Sequence, residues 1–349
     1  MNQKYDYGIV IGRFQPFHLA HQALIRHSLS LAEKVIVILG SARSAPDVKN
    51  PFTPAMREEI IRACFPKDAE RLIFRAVRDY PYNDHVWTAE IQNIVGEIVE
   101  DDETEHEKIT LVGFFKDKSS YYLNLFPQWS FEEFYTSDKK LLSCNATHIR
   151  EKYFTGNETW RELVPETVAR YLEIFRTTEF FPYLQGEYEY VCKYKADTRF
   201  VGVPYAPVFV TTDAVVVQSG HVLVIRRGFQ PGKGLLALPG GFLAPDQTLE
   251  DSMIRELKEE TQIKVPAQVL RGSIKNSHAF DYPERSQRGR TVTFTYFIEL
   301  EPSLKDGLPR VKGGDDAAKA FWLPLSALGE KEDEFFEDHI HIIRYFLGL

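Results

Sequence analysis

The chain contains 349 residues, which at about 150 residues per domain predicts two domains and leaves room for a third. Hydrophobic residues make up 44% and charged residues 26%, which excludes a disordered, collagenous or coiled-coil protein. The 42 basic residues against 50 acidic residues give a net charge of −8. Because nucleic-acid binding relies on a basic surface that displaces counterions, we expect no nucleic-acid partner.

Cysteine usage and the amino-terminal segment indicate the compartment. Cys64, Cys144 and Cys192 are odd in number and far apart, so we expect neither a disulfide framework nor a cysteine zinc site. Free thiols favour a cytoplasmic location. The first residues lead directly into a strand pattern, and no uninterrupted apolar stretch reaches the length of a membrane span. We therefore expect no signal peptide and no membrane partner.

The first half of the chain alternates between short β-branched runs and helical patterns. The expected strands are Gly8–Ile11, Val35–Leu39, Leu72–Val77 and Ile109–Val112, and the expected helices are Leu19–Ala32, Pro54–Cys64 and Val86–Val99. This order predicts βαβ units that build an α/β, Rossmann-like parallel sheet with helices on both faces. A helix at Pro165–Phe175 is expected to close this domain.

The pattern changes in the second half. Residues 176–207 are expected to be irregular, and their many aromatic side chains favour a connector that packs against other structure. After it we expect the strands Val208–Val217 and His221–Arg227, joined by a hairpin at Ser219-Gly220. One strong helix, Leu249–Thr261, follows, and then a strand at Thr291–Leu300 and a closing helix at Asp333–Leu347. The sequence therefore predicts a second, α+β domain with a mixed sheet. The expected boundaries are 1–180, a connector at 181–206, and 207–349.

One group of candidate functional residues lies where the first strand meets the first helix. Gly12 permits close backbone approach to a ligand, and Arg13 supplies a permanent cation. His18 and His21 are three residues apart on the first turn of the helix, whose N-terminus attracts anions. The alternative is that both histidines only cap or pack the helix. In this strand–turn–helix context we favour a site for a triphosphate.

These residues resemble the HxGH motif of the nucleotidyltransferase superfamily, with HLAH here and Ala20 in place of the usual glycine. A second motif of that superfamily, (S/T)xTxxR, is similar to the segment from Asn145 to Arg150, which includes Thr147. A hydroxyl, backbone amides at a helix start and one arginine are suited to grip phosphates.

Within the superfamily, the first half resembles the archaeal type of NMN adenylyltransferase. The supporting elements are GRFQPFH, Gly40-Ser41-Ala42, Asn50-Pro51-Phe52-Thr53 with Arg57, and Trp87. Lys49 stands where the family usually has a phosphate-contacting arginine. The resemblance implies catalytic roles for Arg13, His18, His21, Lys49 and Arg150, and substrate contacts for Gly12, Phe14, Asn83, Trp87, Gly113, Asp117, Asn145 and Thr147.

The activity that this resemblance implies is adenylyl transfer. The 5′-phosphate of NMN attacks the α-phosphorus of ATP, the co-substrate, and the products are NAD and pyrophosphate. Such a reaction needs positioning and charge neutralisation more than covalent work by the protein. Mg²⁺ is expected to accompany the ATP.

A second group of candidates is a helix rich in glutamate. Glu256, Glu259 and Glu260 share one helix face, and such crowding is unfavourable unless a divalent cation neutralises it. Oxygen ligands suit Mg²⁺ or Mn²⁺ better than Zn²⁺. An ordinary solvated acidic face is the alternative. The sequence LPGG precedes the helix at a spacing that favours a metal site.

This segment resembles the Nudix box, GX5EX7REUXEEXGU. The resemblance implies that Glu256, Glu259 and Glu260 are metal ligands, that Glu256 and Glu260 are catalytic, and that Arg255 anchors the helix to its loop. Two positions depart from the box, since Gln247 replaces its first glutamate and Gln262 its last glycine. Gln247 weakens the case for full hydrolytic activity, and Gln262 suggests a changed exit from the helix. Glu250 or Asp246 are candidates to replace the lost carboxylate.

The loop before the last predicted strands hints at the substrate. Arg285, Arg288 and Arg290 lie there beside aromatic residues, a combination suited to a diphosphate with a base or ribose. The loop resembles Nudix domains that act on ADP-ribose, particularly those fused to NMN adenylyltransferases. Asp315-Asp316 is either a late metal ligand or general base, or a solvated loop.

Both halves therefore point to a bifunctional enzyme that makes NAD from NMN and ATP and hydrolyses ADP-ribose to AMP and ribose 5-phosphate. One alternative gives the first domain another acceptor, such as phosphopantetheine or a flavin mononucleotide. Another makes the second domain a sensor that binds ADP-ribose or NAD without hydrolysis. The preference between nicotinamide and nicotinic acid forms, and a homo-oligomeric state, stay open at this point.

Overall fold

The computed structural model describes residues 4–100, 108–115, 118–196, 205–302 and 307–349. The chain divides into two compact units, Met1–Gln185 and Gly186–Leu349. Among the described residues, no helix combines the length and the apolar character that crossing a membrane would require.

The first unit is built on a five-stranded parallel sheet, which confirms the Rossmann-like prediction. Its strands are β1 (Tyr5–Gly12), β2 (Ala32–Ala42), β3 (Leu72–Arg78), β4 (Ile109–Gly113) and β5 (Ser130–Glu133), in the spatial order β3-β2-β1-β4-β5. β1 pairs with β2 and β4, so that it lies at the centre. The carboxyl ends of these parallel strands meet at one edge, where ligands of such sheets bind.

Helices complete the first unit. They are α1 (Leu19–Leu31), α2 (Pro54–Cys64), α3 (Asp84–Glu100), α4 (Lys139–Ser143), α5 (Ala146–Phe154), α6 (Glu166–Arg176) and α7 (Phe181–Lys195), the last of which runs into the second unit. Thr53 caps α2 through its side chain, and Pro54 occupies the first turn, where a missing N–H is harmless. Apolar side chains of β1, β2, β4 and α3 form the core, with Ile9, Ile36, Ile38, Ile91 and Leu111 among them.

The prediction that residues 176–207 are irregular is wrong for their first part. Phe181, Leu184 and Val191 are buried, and their spacing places them on one face of helix α7. Pro182 lies in the first turn of the helix, where proline is tolerated. The expected domain boundaries at 180 and 207 stay predictions, while the first compact unit ends at Gln185.

The second unit contains a mixed seven-stranded sheet, as predicted. Five strands follow the order β10-β11-β6-β7-β12, and β8 and β9 pair with β7 and β6. β6 and β11 are parallel, whereas the other pairs are antiparallel. The strands are β6 (Phe209–Gln218), β7 (His221–Arg227), β8 (Leu236–Ala237), β9 (Gly240–Phe242), β10 (Ile274–Phe280), β11 (Thr291–Glu299) and β12 (Ala317–Pro324).

Three helices of the second unit are α8 (Leu249–Thr261), α9 (Ala267–Gly272) and α10 (His339–Leu347). The hairpin at Ser219-Gly220 is confirmed, with φ values of 47° and 73° that match the right-handed twist of the strands. The closing helix begins later than the expected Asp333, because Glu337 adopts a left-handed φ of 46°, which interrupts a helix.

The prediction of a changed exit from the glutamate helix is wrong. Gln262 keeps the left-handed conformation that glycine usually supplies, with φ 47° and ψ 30°. Its backbone N–H donates to the carbonyl of Lys258, and its side-chain amide donates to the carbonyl of Gly313 at 3.4 Å. These hydrogen bonds partly offset the strain of a side chain in this region.

Arg57 ties together the turns at the ends of β1 and β2. Its Nη1 donates to the carbonyl oxygens of Arg13 at 2.7 Å and Gly40 at 2.6 Å. The side chain is almost fully buried, and burial lowers its pKa to about 10. The cost of burying this charge is offset because Nη1 and Nε donate to backbone carbonyl oxygens.

We expect Arg57→Met to lower the free energy of unfolding of the first unit by about 2–3 kcal/mol, since two buried carbonyl groups lose their donor. Arg170→Met is the control, because Arg170 forms only an exposed pair with Glu166 at 3.0 Å. That change should shift stability by less than about 0.5 kcal/mol. Urea unfolding of the full chain measures both, and equal effects would contradict the assignment of Arg57.

Candidate functional sites

The first site is built where β1 ends and α1 begins. A Cβ atom on Gly12 would come within 2.9 Å of the Phe14 ring, so the turn requires glycine there. Phe14 adopts a φ of 53° and is buried, with its ring centroid 4.8 Å from that of His21. The substrate contact predicted for Phe14 stays a prediction, and in this structure the Phe14 ring packs against the imidazole of His21.

His18 and His21 are brought together as predicted. Their rings stack with centroids 3.5 Å apart and planes at 16°. His18 also caps α1, since its Nδ1 accepts from the His21 backbone N–H at 3.4 Å. Capping and a catalytic role are compatible here, because the cap uses Nδ1 and leaves Nε2 as a second polar atom. Two imidazoles at a helix N-terminus form a site suited to anions.

Cationic side chains gather beside this helix start. Arg150 donates from Nη1 to the carbonyl of Gln15 at 2.5 Å, which anchors α5 to the turn after β1. Burial and, after it, the nearby Arg13 lower the pKa of Arg150 to about 10. Asp47 is close to both Lys49 and Arg150, which oppose the rise that burial causes in its pKa. The structure thus brings Arg13, Lys49 and Arg150 into one neighbourhood.

Other predicted residues of the first site cap helices or pack against neighbouring side chains. Asn145 caps α5 by accepting from the N–H of Thr147 at 2.8 Å, and Thr147 Oγ1 accepts from Arg150 Nη2 at 3.3 Å. Asn83 accepts from the N–H of Val86 and so caps α3. A Cβ on Gly113 would meet Leu123 at 2.4 Å, so packing requires this glycine.

Trp87 and Asp117 complete the set predicted from the first resemblance. Trp87 is half-buried, with its ring against Tyr122 and Phe126 at centroid distances of 6.0 and 6.1 Å. Its partial exposure leaves ring surface for a ligand. Asp117 lies outside the described residues.

The second site is built on α8 and the turn before it. The backbone N–H of Gly240 donates to Glu260 Oε2 at 2.9 Å, and a Cβ on Gly241 would come within 2.6 Å of the Glu256 carboxyl. Glycine is required at Gly240, because a Cβ there would come within 2.2 Å of the Thr212 carbonyl oxygen on β6, whereas at Gly241 the neighbouring atoms belong to a side chain that can move. Burial, with a smaller effect of the neighbouring Glu256, raises the pKa of Glu260 to about 8.

Arg255 organises the exposed side of the same helix. It donates to Glu256 at 2.8 Å, to Glu259 at 2.7 Å and, from Nε, to Gln247 Oε1 at 2.9 Å. Gln247 thus holds Arg255 as a neutral acceptor at the position of the first glutamate of the box. Glu250 does not take over this role, because it pairs with Arg271 at 2.5 Å.

Two residues that the sequence analysis missed also face this site. Asp213 on β6 is buried beside Gly240, accepts from Thr293 Oγ1 at 2.5 Å, and has its pKa raised by burial to about 6. Arg227 on β7 is close enough to Glu260 for the two charges to interact, and its guanidinium lies 4.3 Å from the Phe336 ring. The usable signal was a single carboxylate within the apolar strand pattern TTDAVVV.

The three predicted substrate arginines differ in their surroundings. Arg285 forms a bidentate ion pair with Asp338 at 2.9 and 2.8 Å, and both side chains are buried. The substrate contact predicted for Arg285 stays a prediction, and in this structure the Nε/Nη2 edge of its guanidinium is occupied by Asp338. Arg288 lies 5.4 Å from the Phe242 ring, and Arg290 is one-third exposed beside Asp281. Asp315 is near enough to raise the pKa of Glu256, after the larger effect of burial.

The donor chemistry of the second site fits a divalent cation. Within the ranges that the structure describes, no three His, Cys, Asp or Glu side chains are already arranged around one point as a metal centre. Glu260 is nevertheless buried and Glu256 half-buried, burial raises the pKa of both, and the charge of Glu256 adds to the rise at Glu260. A hard divalent cation with oxygen ligands would offset this repulsion.

Comparison with known proteins supports both halves. Residues 208–346 match the NUDIX domain family, and residues 9–151 match the cytidylyltransferase-like family. A nicotinamide/nicotinic acid mononucleotide adenylyltransferase of Acinetobacter baylyi is 38% identical over 186 residues, which are 53% of this chain and 94% of that protein. An ADP-ribose pyrophosphatase of Methanocaldococcus jannaschii is 29% identical over 138 residues, or 40% of this chain and 72% of that protein.

One solved structure is similar along the whole chain. It is a bifunctional NMN adenylyltransferase/ADP ribose pyrophosphatase from Francisella tularensis, complexed with AMP and a manganese ion. The TM-score is 0.88 and the sequence identity is 33%, with 99% of each chain covered. A second structure of the Francisella protein gives a TM-score of 0.86 at 34% identity, again with 99% of each chain covered.

We expect Gln247→Glu to raise the affinity for Mn²⁺ about threefold to tenfold, because a carboxylate would draw Arg255 away from Glu256 and Glu259. Gln268→Glu adds the same charge at an exposed position of α9 and is the matched control. Mn²⁺ titration followed by electron paramagnetic resonance measures both. Equal gains in the two variants would show a general charge effect and contradict the role given to Gln247.

Proposed function

Since the chain belongs to the family of bifunctional NMN adenylyltransferase/ADP-ribose pyrophosphatases, we propose that each unit carries one of the two reactions at the site described above. The first unit transfers an adenylyl group from ATP to NMN, giving NAD and pyrophosphate. The second unit hydrolyses ADP-ribose to AMP and ribose 5-phosphate. The observation that carries the assignment is the full-length similarity, at 33% identity, to a chain that joins both activities.

In the first unit, the residues position phosphates and neutralise charge. We assign His18 and His21 to the oxygens of the reacting α-phosphate, where imidazole N–H groups stabilise charge that develops during in-line attack. Arg13, Lys49 and Arg150 surround the leaving pyrophosphate, which carries most of the negative charge. Lys49 supplies a point charge in place of the fork of an arginine, so it neutralises without a bidentate contact.

The nucleotides are held by the turn and helix starts around these cations. Gly12 allows close approach, while Asn145 and Thr147 present the N-terminus of α5 to phosphate oxygens. The exposed part of the Trp87 ring, with Asn83 beside it, is assigned to the nicotinamide end of the substrate. Gly113, at the end of β4, and Asp117 are assigned to the border of the adenine pocket.

In the second unit, Glu256, Glu259 and Glu260 would hold divalent cations, which we propose to be Mg²⁺ with Mn²⁺ as a substitute. When bound, such ions lower the pKa of water and neutralise the diphosphate. Among the protein groups, the Gly240 amide fixes Glu260, and Arg255 fixes Glu256 and Glu259. Arg288 and Arg290 bind the diphosphate, and Arg285 acts by holding their loop.

Two further features are proposed. Cys64, Cys144 and Cys192 form no disulfide and the first two are buried, which supports a cytoplasmic location. The substrates are small molecules, and a homo-oligomer is compatible with the exposed β5 edge strand. A sensor without hydrolysis is the alternative for the second unit, and Gln247 is the residue that favours it.

We expect His21→Ala to reduce NAD formation by about 10²-fold or more, because one of two charge-stabilising imidazoles is removed. His27→Ala, on the same helix but a turn and a half beyond the site, should change the rate less than about twofold. A coupled NAD assay measures both, with ADP-ribose cleavage by the same samples as the check on intact protein. Near-normal synthesis by the His21 variant would contradict the assignment.

We expect Glu260→Gln to reduce AMP release from ADP-ribose by at least about 10²-fold. The amide oxygen can still accept from Gly240, so folding and NAD formation should survive. Glu250→Gln, on the same helix, should change the rate less than about threefold. The sensor alternative requires no AMP release by the parent protein with Mg²⁺ or Mn²⁺, together with ADP-ribose binding that survives the Glu260 substitution.

A further inference from the structure

Three consecutive polar residues lie at the start of α10, outside the Nudix helix and outside every motif of the sequence analysis. Asp338 and His339 are 5% and 6% exposed, and the Glu337 side chain is 11% exposed. Glu337 adopts a left-handed φ of 46°, a conformation that is unfavourable for a residue with a side chain. Buried polar groups of this kind are retained only where their hydrogen bonds are satisfied.

His339 holds the turn that presents the metal-site glycines. Its Nδ1 accepts from the backbone N–H of Leu238 at 2.9 Å, and burial lowers the pKa of His339 to about 3, so the ring stays neutral with its proton on Nε2. The N–H of Phe336 donates to the Leu236 carbonyl at 2.8 Å and anchors the same segment. Two residues after Leu238, the Gly240 amide donates to Glu260.

Asp338 anchors the loop that carries the arginines. Its carboxylate binds Arg285 through two hydrogen bonds of 2.9 and 2.8 Å. Arg285 belongs to the loop between β10 and β11, which also carries Arg288 and Arg290. Glu337 adds a contact to that loop, with its carboxylate 3.9 Å from Arg288.

We propose that Asp338 and His339 are positioning residues that set the arginine loop in register with the turn at Leu238–Gly241, and hence with Glu260. The inference rests on the proposed hydrolysis of ADP-ribose. Two adjacent residues bind two different segments, so a displacement of the start of α10 moves both segments together. A buried ion pair is replaceable by apolar residues without loss of stability, which favours geometry as the reason for this one.

The test distinguishes the contact of His339 from that of Asp338, because the two are expected to change different kinetic parameters. His339→Leu removes the acceptor for Leu238, and we expect kcat for AMP release to fall at least 10-fold and the Mn²⁺ concentration for half-maximal rate to rise, with the KM for ADP-ribose within about twofold. His339→Asn places a carbonyl oxygen near the position of Nδ1 and should recover kcat to within about threefold of the parent. Asp338→Asn should instead raise KM for ADP-ribose at least fivefold, with the Mn²⁺ dependence unchanged.

A double variant keeps the proposal testable if Asp338→Asn fails to fold. Arg285→Met with Asp338→Leu replaces the buried pair by apolar side chains, and it should fold while still raising the KM for ADP-ribose. NAD formation by the same full-length samples, together with thermal unfolding, reports the folded fraction.

The outcomes distinguish the inference from its premise. If every variant loses AMP release only in proportion to its folded fraction, with parental KM and Mn²⁺ dependence, the residues are merely structural and the inference is overturned. If His339→Asn is as impaired as His339→Leu, the Leu238 hydrogen bond is not the cause. If the parent protein releases no AMP from ADP-ribose, the proposed hydrolysis fails, and this inference fails with it.

Discussion

A charge removed from water needs a partner, and in this protein the partner is repeatedly the backbone of a turn that carries reactive groups. In the first unit, the buried Arg57 and Arg150 donate to the carbonyls of Arg13, Gly40 and Gln15. In the second unit, the buried acceptors Glu260 and His339 receive the N–H groups of Gly240 and Leu238. In both units, the free-energy cost of removing a polar or charged side chain from water therefore favours one geometry of the turn that it contacts.

The two sites have opposite electrostatic characters for a shared chemical reason. Phosphate groups are the proposed ligands of the first site, where arginine, lysine and a helix N-terminus lie close together. At the second site divalent cations are proposed to accompany the phosphates, and the helix face there carries carboxylates that repel one another in the absence of an ion. Arg255 restrains this repulsion through Glu256 and Glu259. A site of this kind is stable enough to fold and still favours the cation.

The departures from the family motifs are local and each finds a structural answer. Gln247 retains the hydrogen bond to Arg255 that orients the helix, although it lacks the charge of glutamate. Gln262 retains the left-handed exit of a glycine with the help of its side-chain amide. Ala20 lies in the first turn of α1, between the two histidines whose rings stack. The residue types at positions 247 and 262 therefore differ from the motif, while the hydrogen bond to Arg255 and the left-handed helix exit are kept.

The sequence by itself determined what depends on neighbours along the chain. Strand and helix order, the shared face of Glu256 and Glu260, and the meeting of His18 with His21 follow from local periodicity, which acts over a few residues. Helix α7 was hidden because its aromatic residues resemble a packed connector. Only the tertiary structure decided that Arg285 forms an ion pair with Asp338, 53 residues away, and that Asp213 lies opposite Gly240 on the neighbouring strand. Such partners are chosen by sheet pairing and burial, which bring together residues that no sequence period connects.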